Sequence, residues 1–283
     1  MIYTVTLNPS YDKTYHLTDF LLGSTNRAEP ACTKPGGKGL NVSRVLNTLG
    51  IPNLALGIAD IEFCNALTEI EHDFIISGNP VRMNIKIHDA SHGNVTELNE
   101  MGSEVSSELL DRVKDRLDKY LSAGDIVVLT GSLPPGAPCD IYRTWIELCH
   151  SKSALPVLDT SGEALKEGIK AKPVMIKPNI DELCFLAGRS LSGQSDRSCI
   201  ISEAAKFRAS GIKYVLVSMG KDGAILVSGN GVFEKSAPLV EVKSTVGAGD
   251  AMLAAFIYGT LEGLNDEELV NFAVEAGSKA CIE

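Results

Sequence analysis

Apolar positions along this chain fall into two patterns that take turns. Short runs rich in Val, Ile and Leu, at Ile2–Leu7, Leu54–Ile58, Ile126–Thr130, Pro156–Leu158, Val174–Ile176 and Tyr214–Ser218, read as strands. Between them, Leu40–Leu49, Ser106–Leu121, Asp140–His150, Ser202–Ser210 and Ala251–Glu262 place apolar residues three and four apart, which predicts helices. Strand–helix alternation of this kind predicts an α/β fold, a mainly parallel sheet with helices on both faces.

Two stretches break the rhythm. Lys13–Lys34 is polar, short-stranded and poor in helix signals. Val81–Glu97 alternates Val81, Met83, Ile85 and Ile87 with Arg82, Asn84, Lys86 and His88, then turns at the Ser91–Asn94 cluster. Strict alternation means a half-exposed strand, and the turn residues suggest a hairpin. Both stretches are expected to form a small β-sheet projecting from the main domain, with lid strands within 13–34 and 81–97. The alternative is two edge strands of the main sheet. No repeat, low-complexity tract or linker divides the chain, so residues 1–283 read as a single domain.

The composition, 44% hydrophobic and 22% charged, is that of a globular protein and gives no sign of disorder. A formal charge of −10 without any basic run argues against a nucleic-acid partner. An anionic substrate would therefore need its few cations gathered locally. Seven scattered cysteines with no C-x-x-C pair fit reduced thiols better than disulfides or a zinc site. A strand-like run from Ile2 leaves no room for a signal peptide, and no apolar stretch nears the roughly 18 residues that span a bilayer. The expectation is a cytoplasmic protein with no membrane partner.

The strongest chemical signal is Ser244-Thr245-Val246-Gly247-Ala248-Gly249-Asp250, directly ahead of an apolar helix. Glycines there let successive backbone N–H groups converge, and the helix dipole favours negative charge at that end. That makes an anion hole, with Asp250 in the first turn, where the same field is expected to keep it ionised. A carboxylate beside an anion hole suits phosphoryl transfer: it takes the proton of the attacking hydroxyl. A glycine-rich turn with an ordinary acidic cap is the plain alternative. A second motif, Pro35-Gly36-Gly37-Lys38-Gly39-Leu40-Asn41-Val42, also opens a helix. It is not a Walker A loop, because Cys32 takes the place of the first glycine and Gly39 follows the lysine. Its glycines suit the approach of a small polyhydroxy ligand that Asn41 could hydrogen-bond; a structural turn is the alternative.

Together, Gly36-Gly37-Lys38-Gly39-x-Asn41 and Gly247-Ala248-Gly249-Asp250 resemble the two signatures of the ribokinase-like, or phosphofructokinase-B, sugar kinases, in matching order across nearly the whole chain. The opening Thr4-Val5-Thr6-Leu7-Asn8-Pro9-Ser10-Tyr11-Asp12 resembles the branch of 1-phosphofructokinases and tagatose-6-phosphate kinases. The resemblance implies a catalytic group of Asp250, Gly247, Ala248 and Gly249. It implies a sugar-phosphate site of Asp12, Gly37, Lys38, Asn41, Arg82, Asn84 and Lys86, with Arg27 added from the first lid stretch. Arg82, Asn84 and Lys86 share one face of their strand, and a substrate already carrying a dianion calls for cations; a solvated strand face is the alternative.

Lys177-Pro178-Asn179-Ile180-Asp181-Glu182 resembles the family's Asn-x-x-Glu motif. The resemblance implies that Asn179 and Glu182 place Mg²⁺ with its waters near the phosphates of ATP; alone, Asn179 would cap the helix Asp181–Ala187. Ser218-Met219-Gly220-Lys221-Asp222-Gly223 resembles the nucleotide-side turn, with Ser218, Gly220 and Gly223 at the ATP; a plain hairpin is the other reading. The implied reaction is ATP-dependent phosphorylation of fructose 1-phosphate to fructose 1,6-bisphosphate. Tagatose-6-phosphate kinase is the rival activity, and a catalytically idle sugar-phosphate sensor the rival of another class. A homodimer joined through the lid sheets is implied as well. Asp60-Ile61-Glu62-Phe63-Cys64 departs from the family's Gly-Phe-Thr-Gly turn, and the sequence, which stops at Glu283, is shorter at that end than the branch leads one to expect. His88 and His92 have the spacing of a metal pair but lie across a predicted turn without a third ligand.

Overall fold

The computed structural model describes residues 1–29, 31–188 and 197–282, so Glu283 lies outside it. The chain opens with β1 (Ile2–Thr6), β2 (Ser10–Leu17), β3 (Cys32–Gly36), α1 (Lys38–Thr48), β4 (Asn53–Ala59), α2 (Ile61–Ala66) and β5 (Ile75–Ile76). It continues through β6 (Arg82–Asp89), β7 (Asn94–Asn99), α3 (Ser107–Tyr120), β8 (Ile126–Thr130), α4 (Ile141–Ser151), β9 (Leu155–Asp159) and α5 (Gly162–Gly168). The last part holds β10 (Met175–Ile176), α6 (Ile180–Ala187), α7 (Arg197–Ala209), β11 (Tyr214–Ser218), β12 (Ala224–Val227), β13 (Val232–Lys235), α8 (Ala248–Leu261) and α9 (Asp266–Ala280).

Nine strands form the main sheet in the order β13-β12-β11-β10-β9-β8-β1-β4-β5. From β5 to β11 every neighbouring pair is parallel, and β12 and β13 close that edge antiparallel. Period two then sorts the strand side chains between two cores. Tyr3, Val5, Val127 and Leu129 join Leu110 and Val113 of α3, Trp145 of α4, Leu165 of α5 and Leu183 of α6 on one face. Ile2, Ile126 and Val128 join Val42 and Leu46 of α1, Phe256 of α8 and Val270 of α9 on the other. Strands buried on both sides are mostly apolar, which is why they stood out as runs.

The lid is a separate sheet in the order β3-β2-β6-β7. β2 runs parallel to β6, and the two outer pairs are antiparallel. Its strands reach slightly beyond the predicted stretches, beginning at Ser10 and extending to Gly36 and Asn99.

Besides the short β5 and α5, three features were not anticipated. One is the β12–β13 hairpin and another is α9, which starts at an Asn265/Glu268 capping box. The third is α2: Asp60 accepts from the amides of Phe63 and Val81, at 2.7 Å each. The departure at Asp60–Cys64 is thus a capped helix start tied to the foot of the lid.

Candidate active site

Residues of the motifs meet at the carboxyl ends of the parallel strands. β1 pairs with β4 on one side and β8 on the other, so the chain order reverses there, and α1 and α3 pack on opposite faces. Such a switch point leaves a crevice at the strand ends. A cavity of about 630 Å³ occupies it, running from the lid to the α8–α9 side.

The lid supplies one wall. Register places Ser10 and Asp12 of β2 beside Arg82 and Asn84 of β6, and Asn84 and Lys86 opposite Asn99 and Glu97 of β7. All seven line the cavity, which fixes the inner face of the sheet. Asp12 Oδ1 accepts from Ser10 Oγ at 2.9 Å and from Asn84 Nδ2 at 3.1 Å. A Cβ on Gly36 would lie 2.3 Å from Asp12 Oδ2, so only glycine lets that carboxylate lean against β3. Arg82 is held differently from the sequence expectation. Its guanidinium donates to the carbonyls of Asn8, Pro9 and Glu100 and reaches the Ser132 hydroxyl, clamping the lid to the main domain. Lys86 and Asn84 stand further along the same face. Arg27 is exposed between β2 and β3 and is not part of the cavity wall.

Past the lid Gly247 caps α8 with φ +82°, and Ala248, Gly249 and Asp250 form the first turn, all lining the cavity. Asp250 is 5% exposed. Burial is the largest influence on it and, with Asp159 nearby, outweighs Lys38, the Asn41 hydrogen bond and Lys177, so its carboxyl is pushed up to about 6. Desolvation therefore sets the direction of the shift against the helix field, though a carboxyl at about 6 is still mostly ionised at neutral pH. Asn41 Nδ2 donates to Asp250 Oδ2 at 2.8 Å, while its Oδ1 accepts from Arg44 at 3.2 Å. Both ends of the Asn41 amide are thus engaged in aiming Asp250.

Asn179 and Glu182 form the capping box of α6: Asn179 Oδ1 accepts from the Glu182 amide at 2.8 Å and Glu182 Oε2 from the Asn179 amide at 2.9 Å. Burial raises the Glu182 carboxyl above its ordinary range, and Asp159 adds to this. A cavity-lining carboxylate with one oxygen in a cap and a desolvated charge fits a hydrated hard cation.

Ser218, Gly220, Lys221 and Gly223 line the cavity where β11 turns into β12, an antiparallel hairpin as the plain reading had it. Beyond them Pro238, Leu239, Val240, Val242 and Val274 make an apolar wall that was not foreseen. Its residues come from an irregular segment and from α9, neither of which carries a periodic signal toward the cavity. Also missed were Asp159 and Lys177. A charged residue closing the apolar strand Leu155–Asp159, and a lysine opening the Asn-x-x-Glu motif, were the available hints.

The triad of His92, Asp89 and Asp19 sits at the far tip of the lid, with His92 Nδ1 2.9 Å from Asp89 and 3.6 Å from Asp19. His88 instead stacks on His16, with ring centroids 4.9 Å apart.

A ribokinase-like α/β sheet with a lid over its switch point, and a glycine-rich helix start beside a buried aspartate, is the architecture of a sugar kinase. The profile of the pfkB family carbohydrate kinases matches residues 5–282, and the chain belongs to that family. It is 36% identical to a 1-phosphofructokinase of Bacillus subtilis (strain 168), over 98% of this chain and 91% of that protein. A 1-phosphofructokinase of Haemophilus influenzae is also 36% identical, over 99% and 90%. Among solved structures, phosphofructokinase-2 from Escherichia coli in complex with fructose-6-phosphate superposes with a TM-score of 0.92 at 28% identity, covering 99% of this chain and 93% of that one. The same protein in a tetrameric inhibited form gives the same TM-score and identity, covering 99% and 94%.

Proposed function

We propose that this kinase transfers the γ-phosphoryl group of MgATP to the 6-hydroxyl of fructose 1-phosphate, giving fructose 1,6-bisphosphate and ADP. The observation that carries this is one continuous cavity with a polar, cation-bearing lid at one end, an apolar wall at the other, and Asp250 with the α8 amides between. The two relatives named 1-phosphofructokinase support the choice of acceptor.

In this reading Asp12 and Asn84 hold the sugar hydroxyls, and Lys86 meets the phosphate already present. Gly37 lets the backbone approach the sugar, and Asn41 aims Asp250 instead of binding the sugar itself. The acceptor oxygen forms a new bond to the γ-phosphorus as the bond from that phosphorus to the ADP oxygen breaks. The hydroxyl proton passes to Asp250, whose Oδ2 is held by Asn41. The amides of Gly247, Ala248 and Gly249 carry the charge on the transferring group. Mg²⁺, held through water by Glu182 beside Asn179, would supply charge neutralisation on the phosphates of ATP. Ser218, Gly220 and Gly223 border the nucleotide, and the apolar wall receives its base.

Lys86→Met tests the acceptor end. KM for fructose 1-phosphate is expected to rise about tenfold or more, ~1.4 kcal/mol per tenfold, with kcat little changed. An unchanged KM would remove Lys86 from the phosphate.

The outer lid face, opposite Asp12 and Asn84, carries Tyr15, Ile85, Ile87 and Leu98 by register, beyond Tyr11, which packs on Phe63, and Leu98 is 56% exposed. We propose that a second copy covers it, making a cytoplasmic homodimer. Light scattering showing a monomer would refute this. Among the described residues no helix is long and apolar enough to cross a membrane.

A further inference from the structure

Beneath the first turn of α8 lies a charge cluster drawn from three parts of the chain, with Asp159 and Lys177 buried and Lys38 partly exposed. Asp159, the last residue of β9, has a side chain with 0% exposure and takes no part in the cavity wall. Lys38, at the start of α1, brings Nζ to 3.5 Å from Asp159 Oδ2. Lys177, following β10, brings Nζ to 3.3 Å from Asp159 Oδ1. Each ammonium group thus faces one carboxylate oxygen, Lys38 through a hydrogen bond and Lys177 as an ion pair, and both lysines, unlike Asp159, line the cavity. Lys177 is 5% exposed, and its Nζ lies 3.2 Å from where a Cβ on Gly249 would stand. The ammonium group therefore sits against the anion-hole turn, a closeness that glycine permits.

Two ammonium groups sharing one carboxylate leave that trio with one positive charge beside the α8 amides, facing the carboxyl groups of Asp250 and Glu182. The carboxylate keeps those cations together, since two like charges this close would otherwise repel. Burial alone would raise the Asp159 carboxyl, yet Lys177 and Lys38 outweigh it and hold the group below its ordinary range. In return Asp159 is the main influence raising Lys38, opposed by burial and aided by Asp250 and Glu182. A buried carboxylate is costly unless paired, and this one is out of reach of any ligand in the cavity. Its remaining work is to hold the two lysines.

We infer that Asp159 is a positioning residue that seats Lys38 and Lys177 at the phosphoryl-transfer point, where their ammonium groups neutralise the transferring phosphoryl oxygens. Lys38 then serves the phosphoryl end of the cavity and not the sugar, contrary to the role its motif implied. The inference rests on the kinase reading above.

The test is steady-state kinetics of full-length Asp159→Asn, Lys38→Met and their double variant, with wild type alongside on the same sugar phosphate. Each single change is expected to lower kcat about 100-fold or more, with KM for the sugar phosphate within about threefold. The double variant is expected no more than about threefold below the worse single, because the carboxylate acts through the lysine. A kcat for Asp159→Asn within about threefold of wild type, or losses that multiply to about 10⁴-fold, would overturn the inference. Should Asp159→Asn fail to fold, Lys38→Met and Lys38→Arg decide. Recovery of most of the lost kcat by arginine supports it, whereas a KM-only effect returns Lys38 to the sugar and overturns it. An active wild type with an equally active Asp159→Asn sinks this inference alone. A wild type that turns over no sugar phosphate removes the kinase reading and the inference with it.

Discussion

Asp250→Asn is expected to lose about 10³-fold in kcat, the scale on which a positioned general base contributes, while KM for the sugar phosphate stays within about threefold. The same substitution is expected to make the protein more stable near neutral pH. Asp250 has its carboxyl at about 6 in the fold against an ordinary 3.8, because burial penalises its charge. The native state therefore binds a proton more readily than the unfolded chain does between about pH 4 and 6. Stability contributed by this site falls as pH rises through that window and is lowest above it. A carboxyl raised that far costs the fold as much as ~3 kcal/mol at neutral pH, which a neutral asparagine would largely remove. Thermal melts at pH 7.5 should show the variant above wild type, and the gap should close as pH falls toward 4. A variant with near-normal kcat would end the assignment of Asp250 as base. A variant less stable than wild type at pH 7.5 would contradict the account of its burial.

Gly37→Ala is the second large effect, and it acts through the fold. Gly37 caps α1 at φ +135°, a conformation that L side chains rarely adopt. A Cβ there would stand 2.9 Å from Thr6 Cγ2 and 3.4 Å from Pro9 Cα, so backbone strain and a clash with the end of β1 add together. Each is worth on the order of 1–3 kcal/mol. The melting temperature should drop by on the order of 10 °C, and kcat should fall too, because Asn41 one turn on aims Asp250. Differential scanning calorimetry checks the first effect. A melt unchanged within a degree or two would show that the α1 turn tolerates a side chain.

The architecture was legible because its strands are buried on both faces. Ile2–Leu7 and Ile126–Thr130 are apolar runs that can only sit inside a sheet, and the alternation from Val81 announced a strand with one wet face. α9 was not legible in the same way: Gly277 and Ser278 interrupt its apolar stripe where it borders the cavity. The site divides along similar lines. Local motifs were readable, so Gly247–Asp250, Asp12 and the 36–41 turn were found and lie on one cavity. What contacts across the fold decide was not readable. Asn41 and Asp250 are 209 residues apart, and only folding shows that the asparagine donates to the aspartate. Arg82 reads as a phosphate fork on an alternating strand, yet its donors meet the carbonyls of Asn8, Pro9 and Glu100, whose proximity no spacing reveals. Asp250 sits in a helix first turn, whose field favours its charge; the burial that instead raises its carboxyl is a property of packing.

The central claim is that the lid selects a sugar already phosphorylated at carbon 1. The most direct measurement is kcat/KM for ADP release from MgATP with fructose 1-phosphate, tagatose 6-phosphate, fructose 6-phosphate and fructose as acceptors. A clear preference for fructose 1-phosphate, with fructose itself the poorest acceptor, is the result this account predicts. Preference for tagatose 6-phosphate or fructose 6-phosphate would contradict the choice of acceptor. Tight sugar-phosphate binding without turnover of any of the four would contradict the kinase itself and point to a sensor.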